Sequence, residues 1–269
     1  MGTSGAYGGS AGWSSVASDT DEWIASDGET DEQPPAGDDG PPQEGDPEVD
    51  RRPAESPIPP PVTKIVANIA RRLTGARGGA GGALAGGGGG GGGGGRRTSG
   101  PIGGTRSGAR AAASAGRAAA GVYALRTGAT APLAELGLTL GELSGLTRWQ
   151  QAQRLQDAAS GPSGGVAESE VRRANAEFIM WALEEADEAS PSELAARWIV
   201  EYVWQVWVTE AGPRLLATDR ARYEEEMRAG LQALVSSDGL PDDRPLTAAD
   251  FEAAINRALT RLGRIEGET

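Results

Sequence analysis

The first nine residues, Met1-Gly2-Thr3-Ser4-Gly5-Ala6-Tyr7-Gly8-Gly9, hold the group with the clearest chemistry in this chain. Methionine before glycine is a good substrate for removal of the initiator residue, which exposes the α-amine of Gly2. An α-amine has a reference pKa of ~7.7–8.0, against ~10.4 for a lysine ammonium, so about a tenth of it is unprotonated and nucleophilic at pH 7. Gly2 has no side chain and can enter a narrow enzyme cleft backbone-first. Read on composition alone, the same stretch is a flexible terminus without a task.

The other familiar catalytic chemistries are closed to this sequence. It has no cysteine and no histidine, which excludes disulfides, thiolate nucleophiles, Ser-His-Asp catalysis and ordinary zinc sites. Lys64 is its single lysine, and no Gly-Lys-Ser/Thr forms a phosphate loop. Carboxylate pairs such as Glu184 with Glu185 and Asp242 with Asp243 fall on expected solvated faces or loops. Glu201, alone on an apolar helix, is a candidate buried acid, and Arg197 one turn earlier is an evident ion-pair partner. Neither catalysis nor a bound metal is expected.

Charge divides the chain into blocks. Residues 1–62 hold 14 Asp and Glu against two Arg, 63–129 hold one Lys and nine Arg without an acid, and 130–269 hold 24 acids and 13 Arg. The overall charge of −13 conceals this acid–base–acid order. Such blocks favour solvated chain where apolar residues are sparse. The start lacks a basic region followed by an apolar core, so no secretory signal is read and the cytoplasm is the expected location.

The organisation expected is a tail at 1–9, a disordered acidic Pro-rich arm at 10–62, a basic Gly/Ala/Arg-rich linker with short helices at 63–129, an all-α domain at 130–263, and a tail at 264–269. In the arm, Trp13 and Trp23 with Val16 and Ile24 resemble an acidic-aromatic segment that docks into a partner's groove; the alternative is two solvated tryptophans. In the linker, Thr63 begins a short helix over 64–73, and ten consecutive glycines span 86–95. The many G-x-G-x-x-G matches there carry nothing without a preceding strand. From 109 to 125 helix resumes, with Arg106, Arg110 and Arg117 within roughly 40° of one another on a helical wheel. That stripe invites a nucleic-acid reading, opposed by the lack of interleaved aromatics and by the acidic blocks on either side.

The last block reads as about five or six helices with no strand alternation. Leu133, Leu136, Leu140 and Leu143 share one short helical face weakened by Gly137 and Gly141. Thr147 starts a helix, a long amphipathic stretch covers 171–189, and Ser190-Pro191-Ser192-Glu193 is a capping box with proline at the first helical position. In the helix it opens, only Arg197, Glu201, Gln205 and Thr209 form a polar line. Trp198, Trp204, Trp207 and their neighbours make the rest apolar, as for a central or contact helix. That helix is too short, and too charged at Glu201, to span a membrane. Two amphipathic helices close the fold, the second opened by Thr247-Ala248-Ala249-Asp250.

With these features together, the chain resembles the B component of the Qat anti-phage defence systems of bacteria, whose operons also encode an ATPase, a QueC-like enzyme and a TatD-like nuclease. The resemblance rests on Met1-Gly2-Thr3-Ser4 and Tyr7-Gly8-Gly9, on the Arg-Ala-Gly middle, and on the helical region opening near Leu133-Ala134-Glu135-Leu136-Gly137-Leu138. It is tight at the terminus and otherwise one of layout. The family's Pro-rich apolar stretch after Tyr-Gly-Gly is replaced here by Ser10-Ala11-Gly12-Trp13-Ser14-Ser15. The resemblance implies a non-enzymatic substrate and scaffold. A QueC-like partner would join a 7-deazaguanine to Gly2 as an amide, with Thr3, Ser4, Tyr7, Gly8 and Gly9 as its recognition tail. No other cofactor is implied. Trp13, Trp23, Trp198, Trp204 and Trp207 are the candidate partner contacts, and the second reading is an adaptor that loads DNA onto the nuclease through the Arg-rich segment 96–126.

Overall fold

The computed structural model describes residues 13–27, 58–75, 104–161, 166–185, 188–215, 219–237, 239–241 and 244–265. The tail Gly2–Gly9 and the glycine run lie outside them. The described chain is all-α, with ten helices and no strand among these residues.

Two long helices form the centre. α3 (Gly104–Thr127) is built largely of alanine, and Ala111, Ala112, Ala115, Ala118, Ala119, Ala120 and Ala124 are all buried. α8 (Pro191–Ala211) is apolar around most of its girth and buries Trp198, Ile199, Tyr202, Val203, Val206 and Trp207. A helix apolar on all sides needs cover on all sides, and its neighbours provide it. α7 (Val166–Glu184) and α6 (Arg148–Ser160) pack beside α3 and each other, while α10 (Ala248–Leu262) makes the most extensive helix contact of the fold against α3. α9 (Arg220–Leu234) lies on α8 through Tyr223, Met227 and Leu231.

The chain-stop and chain-start signals act locally and are legible in the structure. Thr147, Ser190 and Thr247 each accept a backbone N–H three residues on, and Gln150, Glu193 and Asp250 reach back to complete capping boxes. Arg244 adds a charged bond to Asp250, holding that carboxyl well below the usual range. Glycine breaks the face expected over 133–143 into α4 (Thr130–Glu135) and α5 (Leu140–Ser144), with Gly137 at φ 71 between them.

Three expectations need correction. The arm 10–62 contains a helix, α1 (Ser14–Asp27), and the helix expected over 64–73 begins earlier, as α2 (Pro60–Thr74). Prolines at its first positions cost α2 nothing, because the first-turn N–H groups have no helical partner in any case. α1, α2 and α3 all join the core of the later helices, so residue 130 is not a boundary of the fold. α1 pairs antiparallel with α2: Lys64 Nζ meets Asp19 at 3.0 Å and Glu22 at 2.9 Å, Asn68 donates to Asp19, and Arg72 Nη2 donates to Ser15 Oγ at 2.6 Å. The two carboxylates hold the Lys64 ammonium well above its ordinary pKa.

Candidate functional site

The root of the N-terminal tail lies where α1 begins, beside the end of α2. Trp13 is half-buried with the Arg72 guanidinium 5.6 Å from its ring centroid, and Ser15 takes a bond from the same guanidinium. Arg72 in turn lies near Glu210 at the end of α8, and Glu210 lies near Glu170 at the start of α7. Burial first, then repulsion from Glu210, pushes the Glu170 carboxyl up to about 7, against the lowering effects of the Thr209 hydroxyl and Arg173. Burial also raises Glu210, opposed by Arg72 and Arg214. Tyr202, buried on α8, is raised by desolvation and then by the Glu170 charge. One end of the bundle therefore collects two carboxylates of raised pKa around the point from which the tail departs.

This cluster has a pH signature with a defined sign. The folded pKa of Glu170 exceeds its ordinary 4.5, so folding favours the protonated carboxyl. Stability from this group is complete below about pH 4.5 and is lost as pH rises through about 7. Glu170→Gln is expected to stabilise the protein at about pH 7.5 and to lose that advantage at about pH 4.5. Chemical denaturation of both proteins across this range checks it, and parallel curves would refute it.

A second cluster surrounds Glu201, which is 2 % exposed. Arg197 Nη2 meets its Oε1 at 2.7 Å and Arg228 Nη1 approaches at 3.6 Å. Arg197 lies over Trp181 at 5.1 Å and Arg228 over Trp204 at 4.5 Å. Glu201 is thus the ion-paired residue that Arg197 foretold, and its charge is consumed in holding α8 to α9.

Four of the five tryptophans expected to meet partners are spent inside. Trp23 is 3 % exposed, with its ring centroid 4.9 Å from Tyr223 and 6.3 Å from Trp207. Trp198, Trp204 and Trp207 are buried as well. Indole N–H groups need partners when buried, and Trp207 and Trp198 have them. Trp207 Nε1 donates to Thr20 Oγ1 at 3.3 Å and Trp198 Nε1 to Asn175 Oδ1 at 2.7 Å. Asn175 Nδ2 donates onward to Ser114 and Ser160, both at 3.0 Å. The network around Asn175 carries no sequence signal, because its hydrogen-bonded partners lie up to 61 residues apart. Among the described residues the large apolar side chain that is exposed, at 63 %, is Trp149 in the first turn of α6.

The expected arginine stripe is divided in use. Arg106 lies in the first turn of α3 and Arg110 is exposed farther along it. Arg117 turns to α6 instead, where its Nε donates to the Ala159 carbonyl at 2.8 Å beside Ser114 Oγ at 3.1 Å. Two donors on one terminal carbonyl cap α6. Arg126 similarly donates to the Ala189 carbonyl at 3.1 Å.

Compared with known proteins, the chain matches no family model, no curated protein and no solved structure. Among the described residues no group of acidic side chains could hold a metal ion, and no helix is long and apolar enough to cross a membrane.

Proposed function

We propose that this chain is a non-enzymatic component of a bacterial anti-phage defence system, with two tasks. It is the protein substrate of a QueC-like enzyme, and it is a helical scaffold for the ATPase and TatD-like nuclease encoded beside it. In the modification step, Met1 is removed and the QueC-like enzyme activates the carboxylate of 7-carboxy-7-deazaguanine with ATP. The Gly2 amine nitrogen attacks the acyl carbon, loses a proton, and expels the activating group to leave an amide.

The observation that supports this reading is the anchoring of α1. Gly2 lies eleven positions before Trp13, where the chain is clamped to Arg72 and then buried through Val16 and Trp23. Eleven extended residues span about 36–40 Å, long enough to thread an enzyme cleft while the bundle stays outside. The DNA-adaptor reading is weakened by Arg117, whose guanidinium is engaged in capping α6.

Intact-mass analysis of the protein co-expressed with its QueC-like neighbour, with peptide mapping of residues 1–51, tests the proposal. The expected result is loss of Met1 and a deazaguanine-sized adduct on Gly2, abolished by Gly2→Pro. An unmodified Gly2 under the same conditions overturns it.

A further inference from the structure

We propose that Asp19 and Glu22 are specificity-determining residues that confine acyl transfer to the Gly2 amine, by holding the one side-chain amine of the chain as an ammonium. This rests on the reading of Gly2 as the acceptor and adds what keeps the reaction to a single site. Amine acylation needs an unprotonated nitrogen, and arginine, with a pKa above about 12, supplies none at neutral pH. The sequence has no cysteine and no histidine, and Lys64 is its single lysine. Tyr202 and Tyr223 are buried, and desolvation raises both phenols. Lys64 is therefore the side-chain amine that competes with the α-amine.

Its position makes that competition real. Lys64 stands in the second turn of α2 and meets α1 at Asp19 and Glu22, six and nine residues after Trp13. Nine helical residues span about 14 Å, a distance over which a tail of about 36–40 Å can fold back. A carboxylate activated for Gly2 therefore comes within reach of Lys64, where proximity favours transfer. Burial gives no protection, because the Lys64 side chain is 44 % exposed. The protection is ionic. Nζ lies 2.9 Å from Glu22 Oε2 and 3.0 Å from Asp19 Oδ1. The Asp19 carboxylate is itself fixed, with 9 % of its side chain exposed and a bond accepted from Asn68 Nδ2. Glu22 first and Asp19 after it favour the protonated form. An unpaired lysine is about 0.04 % free amine at pH 7, and each tenfold fall in that fraction slows acylation tenfold. The pairing that docks α1 thus also silences the competing amine.

The test is acetylation of the full-length chain by the N-hydroxysuccinimide ester of acetic acid at neutral pH, with rates for each amine read by peptide mapping. In each transfer the amine nitrogen attacks the ester carbonyl, loses its proton and expels N-hydroxysuccinimide. Lys64 is expected to react at least about tenfold more slowly in the folded chain than in the same chain in urea, while the terminal amine reacts alike in both. Asp19→Asn combined with Glu22→Gln should remove most of that difference. Asp21→Asn is the control, because it breaks the ion pair of α1 with Arg214 and leaves both carboxylates on Lys64. There Lys64 should stay slow. Helical circular dichroism establishes that each variant folds. The reagent requires no enzyme, so this result and a failure of Gly2 to gain a deazaguanine are told apart. Equal Lys64 rates in the folded and urea-unfolded chain overturn the proposal. A rise with Asp21→Asn as large as that of the double variant overturns it too, since loosening of α1 would then be the cause.

Discussion

Trp23→Ala is expected to destabilise the bundle by about 3–5 kcal/mol, the usual cost of deleting a large aromatic side chain from a packed interior. The indole fills the space between Tyr223 on α9 and Trp207 on α8, so its loss opens a cavity at the junction of three helices. It also removes the ring beside Trp207, whose N–H is bonded to Thr20 on the same helix as Trp23. Trp13→Ala is the matched control. Trp13 is half-buried with a single cation over its ring, and its removal should cost about 0.5–1 kcal/mol. Urea unfolding separates the two outcomes. A lowered midpoint with an unchanged slope means that α1 unfolds with the whole, whereas a reduced slope means that α1 detaches first and less surface is exposed in the main transition. If Trp23→Ala left both midpoint and slope unchanged, Trp23 would lie outside the core and would return as a partner contact.

This contrast shows where sequence reasoning works in this chain and where it fails. Capping boxes at Ser190 and Thr247 and the helix start at Thr147 are written within four residues, and so are the apolar faces of α9 and α10; all were legible. α1 was not, because its fourteen residues hold few apolar groups and four acids. What holds it is distant in sequence: Lys64 and Asn68 on α2, and Trp207 on α8, 187 residues from Thr20. A helix stabilised by tertiary contacts rather than by propensity leaves little local trace. The same physics hid the root of the tail. Glu170 and Glu210 are forty residues apart and become neighbours only when α7 and α8 pack, so no local spacing pointed to their raised pKa values. The candidate acceptor Gly2 was legible as chemistry but lies outside the described residues.

The helix of α3 was legible over 109–125, but its place in the core was obscured by composition. An Ala/Gly/Arg-rich segment read as linker, yet its small residues let neighbouring backbones approach, and Gly116 makes the argument measurable. A Cβ built at Gly116 would stand 2.4 Å from the Ala248 carbonyl oxygen and 2.9 Å from the Glu252 amide nitrogen, both backbone atoms near the start of α10. Backbone cannot turn aside as a side-chain tip can, so Gly116→Ala must push α10 away from α3. The intrinsic gain of alanine over glycine in a helix is about 1 kcal/mol. Overpacking at such a site costs about 1–3 kcal/mol, occasionally more. Because the contact is far inside van der Waals distance, the upper end applies and the net effect is a clear loss of stability. Gly141→Ala tests the opposite case. Gly141 sits in α5 with negative φ and open space around the would-be Cβ, so the substitution should stabilise by about 0.5–1 kcal/mol. Thermal unfolding of both variants should therefore move the midpoint in opposite directions. Two shifts of the same upward sign would mean that α3 and α10 pack more loosely than the Gly116 contact requires, and α3 would then be a helix that touches the core rather than one that organises it.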